Sequence, residues 1–258
     1  MIATDLDGTL LRSDGSISPR TLAALEAAEQ AGIAVVFVTG RPVRWMEELF
    51  GHVGAHGIAI LSNGALIWDV TANSPIAERP IEVPTLIEAC ALLRDAVPGL
   101  MFGFERLEGL SIEANFLGTF TGRFAAHEGL LEEISSAPAL KLLARLMDGE
   151  PDDLKRTALA TVGHLVEITG STKSPLLEMS ALGVTKATTL DQWCARHGWT
   201  AQNVIAFGDM PNDLDMLGWA GHSYAMANAH PSVIEVATDQ ALSNDDDGVA
   251  QVIEELLS

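Results

Sequence analysis

The sequence predicts an α/β fold, a doubly wound parallel sheet of the Rossmann-like type into which an α+β domain is inserted. At both ends of the chain, strand-like and helix-like segments alternate, which is typical of a parallel sheet. The strand-like segments there are continuous apolar runs, as expected for strands buried on both faces. Between about residues 83 and 183, shorter strand-like pieces are interrupted by proline and glycine. We therefore predict a core of residues 1–82 and 184–258 and an inserted domain of residues 83–183.

In the first part of the core, the predicted elements follow in strand-helix-strand order. Ser18 is a predicted N-cap, Pro19 suits the first helical position, and Gly32 ends the helix. A short helix is predicted after Pro42. The predicted strands are residues 1–5, 34–38 and 58–61.

The same pattern returns near the C-terminus, where Thr185 is the predicted N-cap of a helix. The predicted helices of this part are residues 186–197 and 248–257, and the predicted strands are residues 204–207 and 223–226. In the insertion, the predicted helix is residues 86–97, and the predicted strands are residues 101–105, 111–115, 140–147, 164–169 and 176–179.

Composition and charge exclude several classes of partner. The chain has 258 residues, of which 48% are hydrophobic and 19% charged, as in ordinary globular proteins. Its formal net charge of −20 repels nucleic-acid backbones and anionic membranes, so we expect neither as a partner. No apolar segment approaches the ~20 residues that span a bilayer, and two cysteines far apart in sequence indicate reduced thiols. A soluble, cytoplasmic protein is the expectation, and the sequence indicates no oligomeric state.

The most informative segment is residues 4–11, which contains two aspartates. Asp5 and Asp7 follow a short predicted strand at positions i and i+2, which face the same way in an extended segment. Gly8 then allows a sharp turn and a close approach of the backbone to a ligand. Two converging carboxylates suit metal-assisted phosphoryl transfer, in which one attacks and the other moves a proton.

Other polar side chains lie just past predicted strands, where ligands bind in open parallel sheets. They are Thr39, Asn63, Asp209 and Asp213. Lys186 is different because it lies at the start of a predicted helix. It is also the only lysine of the predicted core, which is otherwise strongly acidic. We therefore expect Lys186 to be a functional cation.

These motifs together resemble the haloacid dehalogenase (HAD) superfamily of phosphohydrolases, and within it the Cof-like subfamily, which has a large cap domain. The resemblance covers nearly all of the two flanking segments. The insertion lies where this subfamily places its cap. The residues that carry the resemblance are Asp5-Leu6-Asp7-Gly8-Thr9, Thr39-Gly40-Arg41, Asn63-Gly64, Lys186, Gly208-Asp209, Asn212-Asp213 and Ala225-Met226-Ala227-Asn228-Ala229.

The resemblance implies a role for each acidic and basic residue. Asp5 would attack phosphorus and form an aspartyl-phosphate. Asp7 would protonate the leaving oxygen and later activate water. Lys186 would neutralise the charge of the phosphoryl oxygens. The implied contacts to phosphate are the hydroxyl of Thr39 and the backbone at Gly40. Asn63 and Asn212 are expected to be secondary contacts, either to phosphate or to the catalytic carboxylates.

The resemblance also implies a Mg²⁺ cofactor. Its ligands would be the Asp5 carboxylate, the Asp7 backbone carbonyl and Asp209. Asp213 would bind a metal-bound water or orient Lys186. Arg41 is expected to be a structural residue or a residue at the rim of the site, and not a catalytic one.

The expected function is therefore a Mg²⁺-dependent phosphatase acting on small phosphorylated metabolites, with sugar phosphates as the main candidates. Its expected partner is a small-molecule phosphate ester. The insertion is expected to be a mobile cap that closes over this substrate. A phosphomutase of the same superfamily is an alternative. A non-catalytic module is another, either one that resembles receiver domains or a degenerate metabolite-binding protein.

Overall fold

A computed structural model of the chain describes residues 1–52, 57–117, 126–169 and 174–258. The chain divides into two compact units. The first unit comprises Met1–Ala77 and Thr185–Ser258, and the second comprises Glu78–Val184.

Within the described residues there are fourteen strands and eight α-helices. The strands are β1 (Ile2–Thr4), β2 (Val35–Val38), β3 (Ile58–Leu61), β4 (Leu66–Asp69), β5 (Ser74–Glu78), β6 (Met101–Arg106), β7 (Gly109–Ile112), β8 (Ala126–Glu128), β9 (Lys141–Arg145), β10 (Val166–Thr169), β11 (Leu176–Ala181), β12 (Ile205–Gly208), β13 (His222–Met226) and β14 (Asp239–Ala241). The helices are α1 (Pro19–Gln30), α2 (Val83–Ala96), α3 (Leu131–Ile134), α4 (Pro151–Val162), α5 (Lys186–Arg196), α6 (Leu214–Trp219), α7 (Pro231–Val236) and α8 (Gly248–Leu257).

The first unit is built on one eight-stranded sheet in the order β14-β13-β12-β1-β2-β3-β4-β5. The six strands from β14 to β3 are parallel, with β1 at the centre, where Ile2 pairs with Val35 on one side and with Ile205 on the other. The predicted Rossmann-like α/β fold is confirmed. The sequence did not predict β4, which runs antiparallel to β3, or β5 beyond it.

Helices cover this sheet on both faces, as the buried residues show. Ala3, Val36 and Ala206 belong to one buried apolar cluster that also contains residues of α5, α6 and α7. Their neighbours Ile2 and Phe37 are also fully buried, and alternation along a strand places them on the opposite face. On that side α1 contacts β2, α8 contacts β14, and the two helices contact each other. The strand ends are thereby fixed in place.

The predicted N-caps of α1 and α5 are confirmed. The Ser18 hydroxyl accepts a hydrogen bond of 3.0 Å from the backbone N–H of Thr21, at the start of α1. At the start of α5, Thr185 and Thr188 form a reciprocal capping box in which each hydroxyl accepts from the other residue's N–H. Lys186 is the first residue of α5, and its backbone position is therefore set by this cap.

The second unit is an α+β unit with a six-stranded sheet in the order β10-β11-β9-β6-β7-β8. All neighbouring pairs are antiparallel except β7 and β8. Its apolar core combines alternate residues of the central strands, such as Phe102, Phe104 and Leu142, with residues of α2 and α4. Such alternation is typical of a sheet with helices on one face.

Several element boundaries differ from the sequence-based expectations. The predicted strand 111–115 corresponds to β7, which ends at Ile112, and Asn115 beyond it adopts a left-handed conformation with φ of 65°. The helix predicted from residue 86 begins at Val83. The second unit begins at Glu78 and not at residue 83, and Ile81 exchanges two backbone hydrogen bonds with Ala139 of that unit. None of the helices in the described parts of the chain is both long and apolar enough to cross a lipid bilayer.

Candidate active site

The polar residues singled out in the sequence lie at one edge of the first unit's sheet. Asp5 follows β1, Thr39 follows β2, and Asp209 follows β12. These three strands are adjacent and parallel, so their carboxyl ends meet. The backbone N–H of Asp5 donates to the carbonyl of Phe207 at 3.1 Å, which ties the first of these turns to the neighbouring strand.

The centre of the site is a lysine between two carboxylates. The Nζ atom of Lys186 lies 2.6 Å from Oδ1 of Asp5 and 2.6 Å from Oδ1 of Asp213. All three side chains are buried, with exposed fractions of 1%, 8% and 0%. Residues 181 positions apart in sequence thus form a buried charge-assisted contact.

Asp209 completes the acidic cluster. Its Oδ1 accepts a hydrogen bond of 2.9 Å from the hydroxyl of Thr9. The backbone N–H groups of Asp209 and Met210 both donate to Oδ2 of Asp213 at 3.1 Å. One carboxylate oxygen from each of Asp5, Asp209 and Asp213 lies within 4.8 Å of the other two.

Burial and mutual repulsion disfavour the charged forms of these acids. Burial is the larger cause that raises the pKa of Asp5 to about 8, with repulsion from Asp213 and Asp209 adding to it and attraction to Lys186 opposing it. Burial and repulsion from Asp213 raise the pKa of Asp209 to about 7. Burial opposes the charge of Lys186, but attraction to Asp213 and Asp5 outweighs it and places its pKa above the ordinary value.

The cluster is chemically suited to a divalent cation. Three carboxylates face one ammonium group, so ionisation of all three leaves uncompensated negative charge in a buried place. Carboxylate oxygens are the ligands that hard cations such as Mg²⁺ prefer. Neither cysteine of the chain belongs to this cluster, which leaves an all-oxygen donor set. The residues therefore fit a hard metal ion.

Asp7 lies apart from this cluster and is paired with Arg41. The Nε and Nη2 atoms of Arg41 donate to Oδ2 and Oδ1 of Asp7 at 2.8 and 2.6 Å, a bidentate ion pair. The Asp7 side chain is 61% exposed, in contrast to the buried acids. The acidic cluster with metal-binding geometry contains Asp5, Asp209 and Asp213 but not the Asp7 carboxylate.

Gly8 explains how the first turn approaches Asp209 so closely. Its φ is +78°, and a Cβ atom placed on Gly8 would lie 2.3 Å from Oδ2 of Asp209. A side chain at this position would therefore be strained by conformation and would collide with the acid. The close approach lets Thr9 reach Asp209.

The residues expected to contact phosphate also lie together. The hydroxyl oxygen of Thr39 accepts from the N–H of Arg41 at 3.1 Å, and its carbonyl accepts from the N–H of Asn63 at 3.0 Å. Asn212 donates through Nδ2 to Oδ1 of Asn63 at 3.1 Å. A Cβ atom on Gly40 would lie 3.0 Å from the same Asn63 oxygen. Thr39, Gly40, Asn63 and Asn212 therefore form one polar group.

The turn that holds Asn63 is conformationally strained. Ser62, Asn63 and Gly64 have φ values of 52°, 56° and 100°, in the left-handed region. The carbonyl of Gly64 accepts from the Thr189 hydroxyl at 2.8 Å, and a Cβ atom on Gly64 would lie 2.3 Å from the carbonyl oxygen of Thr185. This turn packs directly on the N-terminus of α5, which carries Lys186.

Sequence analysis assigned no role to Thr9 and expected Arg41 to be structural or at the rim. Both side chains bind site carboxylates, Thr9 that of Asp209 and Arg41 that of Asp7. The sequence indicated a role for Thr9 and Arg41 only through their positions inside the motifs that contain Asp5 and Thr39. Their partners are distant in sequence, so only the fold identifies the contacts.

Comparison with known proteins assigns the family. The sequence profile of the haloacid dehalogenase-like hydrolases matches residues 2–253. The chain belongs to this family. The resemblance found in the motifs is thereby confirmed, and so is the expectation of an enzyme of the phosphoric monoester hydrolase type.

Named relatives of this family member are similar over nearly their whole length. A 5-amino-6-(5-phospho-D-ribitylamino)uracil phosphatase of Bacillus subtilis is 31% identical, with 98% of this chain and 94% of the relative covered. A pyridoxal phosphate phosphatase of Escherichia coli is 28% identical, with 98% and 97% covered. The crystal structure of SMU.1108c from Streptococcus mutans is 26% identical and superposes with a TM-score of 0.85 over 99% of this chain and 98% of that one.

Proposed function

We propose that this hydrolase is a Mg²⁺-dependent phosphatase of small phosphorylated metabolites, with sugar and sugar-alcohol phosphates as the main substrate class. The observation that carries the proposal is the buried centre in which Lys186 lies between Asp5 and Asp213, beside Asp209. The named relatives support a small phosphorylated metabolite, since one acts on a phosphorylated ribityl compound and another on pyridoxal phosphate. The first of these carries a sugar-alcohol phosphate, which supports the main substrate class.

In the proposed reaction, a carboxylate oxygen of Asp5 attacks phosphorus and the bond between phosphorus and the leaving oxygen breaks. Asp7 donates a proton to that oxygen, which releases an alcohol and leaves an aspartyl-phosphate. Asp7 then accepts a proton from water as the water oxygen attacks phosphorus. Inorganic phosphate departs and the Asp5 carboxylate is regenerated.

The environments of the two acids support this division of roles. Oδ1 of Asp5 accepts a hydrogen bond from Lys186. Oδ2 of Asp5 accepts none from the described residues, which leaves that oxygen for attack. Asp7 is exposed to solvent, as a group that exchanges protons with water must be. Its bidentate pairing with Arg41 fixes the direction of the carboxylate.

Charge stabilisation supplies the rest of the catalysis. Lys186 provides a fixed positive charge for the phosphoryl oxygens, and the polar group of Thr39, Gly40, Asn63 and Asn212 is proposed to position them. Bound Mg²⁺ would add Lewis-acid stabilisation of the same oxygens. The residues proposed to hold it are Asp5, Asp209 and Asp213, together with the Asp7 backbone carbonyl.

The second unit is proposed to be the cap that selects the substrate. All nine residues proposed for chemistry and phosphate binding belong to the first unit, so the second contributes none of them. Replacing residues 78–184 by the corresponding segment of the pyridoxal phosphate phosphatase is expected to transfer preference for pyridoxal phosphate. The dependence of the chimera's activity on Mg²⁺ concentration should match that of the original protein, because the proposed metal ligands lie in the first unit. A chimera that keeps the original preference would contradict this role.

The direct test is phosphate release from a panel of sugar phosphates, sugar-alcohol phosphates and phosphorylated cofactors, with Mg²⁺ and with a chelator. Wild type is compared with Asp5→Asn and with the control Asp148→Asn, which changes an exposed acid of the second unit. The proposal expects Mg²⁺-dependent release by wild type and by the control, and none by Asp5→Asn. Release that survives in Asp5→Asn, or transfer of phosphate to a second sugar in place of water, would overturn it.

A further inference from the structure

The motif that follows β13 has no part in the proposed chemistry, yet it contacts the turn that carries Asp7. Asn228 lies two residues past the end of β13. Its Nδ2 atom donates to the carbonyl oxygen of Gly8 at 2.7 Å, across 220 residues of sequence. Its Oδ1 atom accepts from the backbone N–H of Asn244 at 3.0 Å. Because a carbonyl only accepts and an N–H only donates, the two partners fix the orientation of this amide.

Asn244 extends the contact to the other end of the same turn. Its Nδ2 atom donates to the carbonyl of Leu11 at 2.9 Å. The Asn244 side chain is buried. Two linked asparagines, Asn228 and Asn244, therefore hold residues 8 and 11 at their backbone carbonyls. We call these two residues the asparagine clamp.

The peptide held by Asn228 joins the two residues that lie against Asp209. The carbonyl of Gly8 and the N–H of Thr9 belong to the same peptide group, and that N–H donates to the carbonyl of Leu6 at 3.2 Å. With both ends bonded, the peptide plane is fixed. Gly8, which precedes this peptide, lies so close to Asp209 that there is no room for a Cβ. Thr9, which follows it, donates a hydrogen bond of 2.9 Å from its hydroxyl to Asp209.

We infer that Asn228 is a positioning residue, which fixes the Gly8–Thr9 peptide and thereby sets Asp209 and the adjoining Asp7 for metal binding and catalysis. The inference rests on the proposed function for its catalytic part, while its metal-binding part stands on the cluster geometry alone. Asn228 acts through the backbone and touches none of the reacting groups. Substitution of a residue that orients metal ligands in this way typically lowers the metal affinity or the activity by about 10- to 100-fold.

Two variants separate the bonds that Asn228 makes. Asn228→Ala removes both hydrogen bonds. Asn228→Asp keeps an acceptor for the N–H of Asn244 but replaces the donor to Gly8 by a carboxylate oxygen that repels the carbonyl. Asn73→Ala is the control, because Asn73 is an exposed asparagine of the same unit outside the site.

Three quantities are measured on each protein: the dissociation constant for Mg²⁺ by calorimetry without substrate, kcat and KM for phosphate release, and the unfolding midpoint. We expect Asn228→Ala to weaken Mg²⁺ binding about tenfold, and both Asn228 variants to lower kcat about tenfold or more with a smaller change in KM. Asn73→Ala should match wild type in the Mg²⁺ constant and in kcat.

The outcomes that would overturn the inference are distinct from failure of the proposed function. A purely structural Asn228 would lower the unfolding midpoint and leave the Mg²⁺ constant and kcat of the folded protein unchanged. Loss of kcat in Asn228→Asp alone would mean that added charge, and not the lost bond to Gly8, is responsible. If wild type binds Mg²⁺ but releases no phosphate, the proposed function fails, and the Mg²⁺ constant of Asn228→Ala still decides the role of Asn228.

Discussion

At the scale of single residues, burial of three carboxylates with one lysine opposes folding. Ions removed from water lose hydration, and attraction to an opposite charge compensates only where enough partners are present. Lys186 is shared between Asp5 and Asp213, and Asp209 has only the hydroxyl of Thr9 as a side-chain partner among the described residues. This arrangement favours binding of a further cation at the expense of the stability of the metal-free protein.

This excess charge predicts that Asp209→Asn stabilises the metal-free protein as pH rises. The pKa of Asp209 is raised to about 7 in the folded protein, whereas an unfolded aspartate titrates near ~4. Between these values the folded state keeps a proton that the unfolded state loses, so the free energy of unfolding of wild type falls with pH. The advantage of Asp209→Asn should grow from about pH 4 to about pH 7 and then level off.

Denaturant unfolding in chelator at several pH values measures this difference, with Asp148→Asn as the exposed control. Addition of Mg²⁺ should stabilise wild type, by about 2.7 kcal/mol when its concentration is 100 times the dissociation constant. Asp209→Asn should gain much less. A metal-free Asp209→Asn protein that is less stable than wild type at pH 7 would contradict the explanation.

Asp7→Asn is predicted to separate catalysis from metal binding. The Asp7 carboxylate pairs with Arg41 and lies outside the cluster of Asp5, Asp209 and Asp213. Loss of a general acid and base typically costs 10² or more in rate, so we expect kcat to fall by at least ~10². Calorimetry should show an Mg²⁺ dissociation constant within about twofold of wild type. A large loss of Mg²⁺ affinity would instead indicate that the Asp7 carboxylate binds the metal.

At the scale of secondary-structure elements, the start of α5 matters most for the site. The capping box of Thr185 and Thr188 fixes its first turn, and the left-handed turn at Ser62–Gly64 packs against it. Lys186 is the first helical residue, so small shifts of this helix end move its ammonium group relative to Asp5. Positioning errors near 1 Å can cost 10² in rate.

Two cap substitutions test this dependence. Thr185→Ala and Ser18→Ala each remove an N-cap, and each is expected to lower the free energy of unfolding by about 1 kcal/mol. Of the two capped helices, α5 carries a proposed site residue and α1 carries none. Thr185→Ala should therefore also lower kcat about tenfold, whereas Ser18→Ala should leave kcat unchanged. Equal kcat values for the two variants in Mg²⁺ would show that the Lys186 position does not depend on this cap.

The elements that sequence analysis identified share strong local signals. The start of a helix is indicated by Ser18 before Pro19 and by Thr185 before Lys186. Buried strands are indicated by the apolar runs at residues 34–38 and 58–61. Strands β4 and β5 were not predicted. β5 has no apolar run, and β4 is a four-residue strand that follows β3 after a short turn of left-handed residues at 62–64. Local patterns do not reveal pairing with a distant neighbour.

The same limit applies to the site. The motifs place Asp5, Thr39, Asn63 and Asp209 at strand ends, and the parallel order of strands brings them to one edge. Which atoms meet depends on partners far away in the chain, such as Asn228 with Gly8. The sequence therefore indicated which residues gather at this edge, but not the Asp7–Arg41 pair or the asparagine clamp.

At the scale of the whole molecule, the dominant property is a net charge of −20. A phosphate ester dianion approaches against this field, and Lys186 attracts it only at short range. Screening by salt weakens the long-range repulsion more than it weakens contacts inside the buried centre. The field of the protein therefore opposes encounter with its proposed substrate.

This property predicts an unusual salt dependence. As ionic strength rises from about 0.01 to 0.15 M, the Debye length falls from ~30 to ~8 Å. We expect kcat/KM for a sugar phosphate to rise over this range, while kcat stays nearly constant. Steady-state kinetics in tetramethylammonium chloride at saturating Mg²⁺ measures it. A steady fall of kcat/KM would indicate that local positive potential controls encounter.

The central position of β1 also has a consequence during biosynthesis. One neighbour of β1 is β2, but the other is β12, which pairs Ile2 with Ile205. Ribosomes add about 5–20 residues per second, so β1 waits roughly 10–40 s for this partner to emerge. Throughout that interval, the edge of β1 that pairs with β12 in the folded protein has no partner. An unpaired strand edge favours aggregation, so we expect the nascent chain to be more prone to aggregate in this interval than the folded protein.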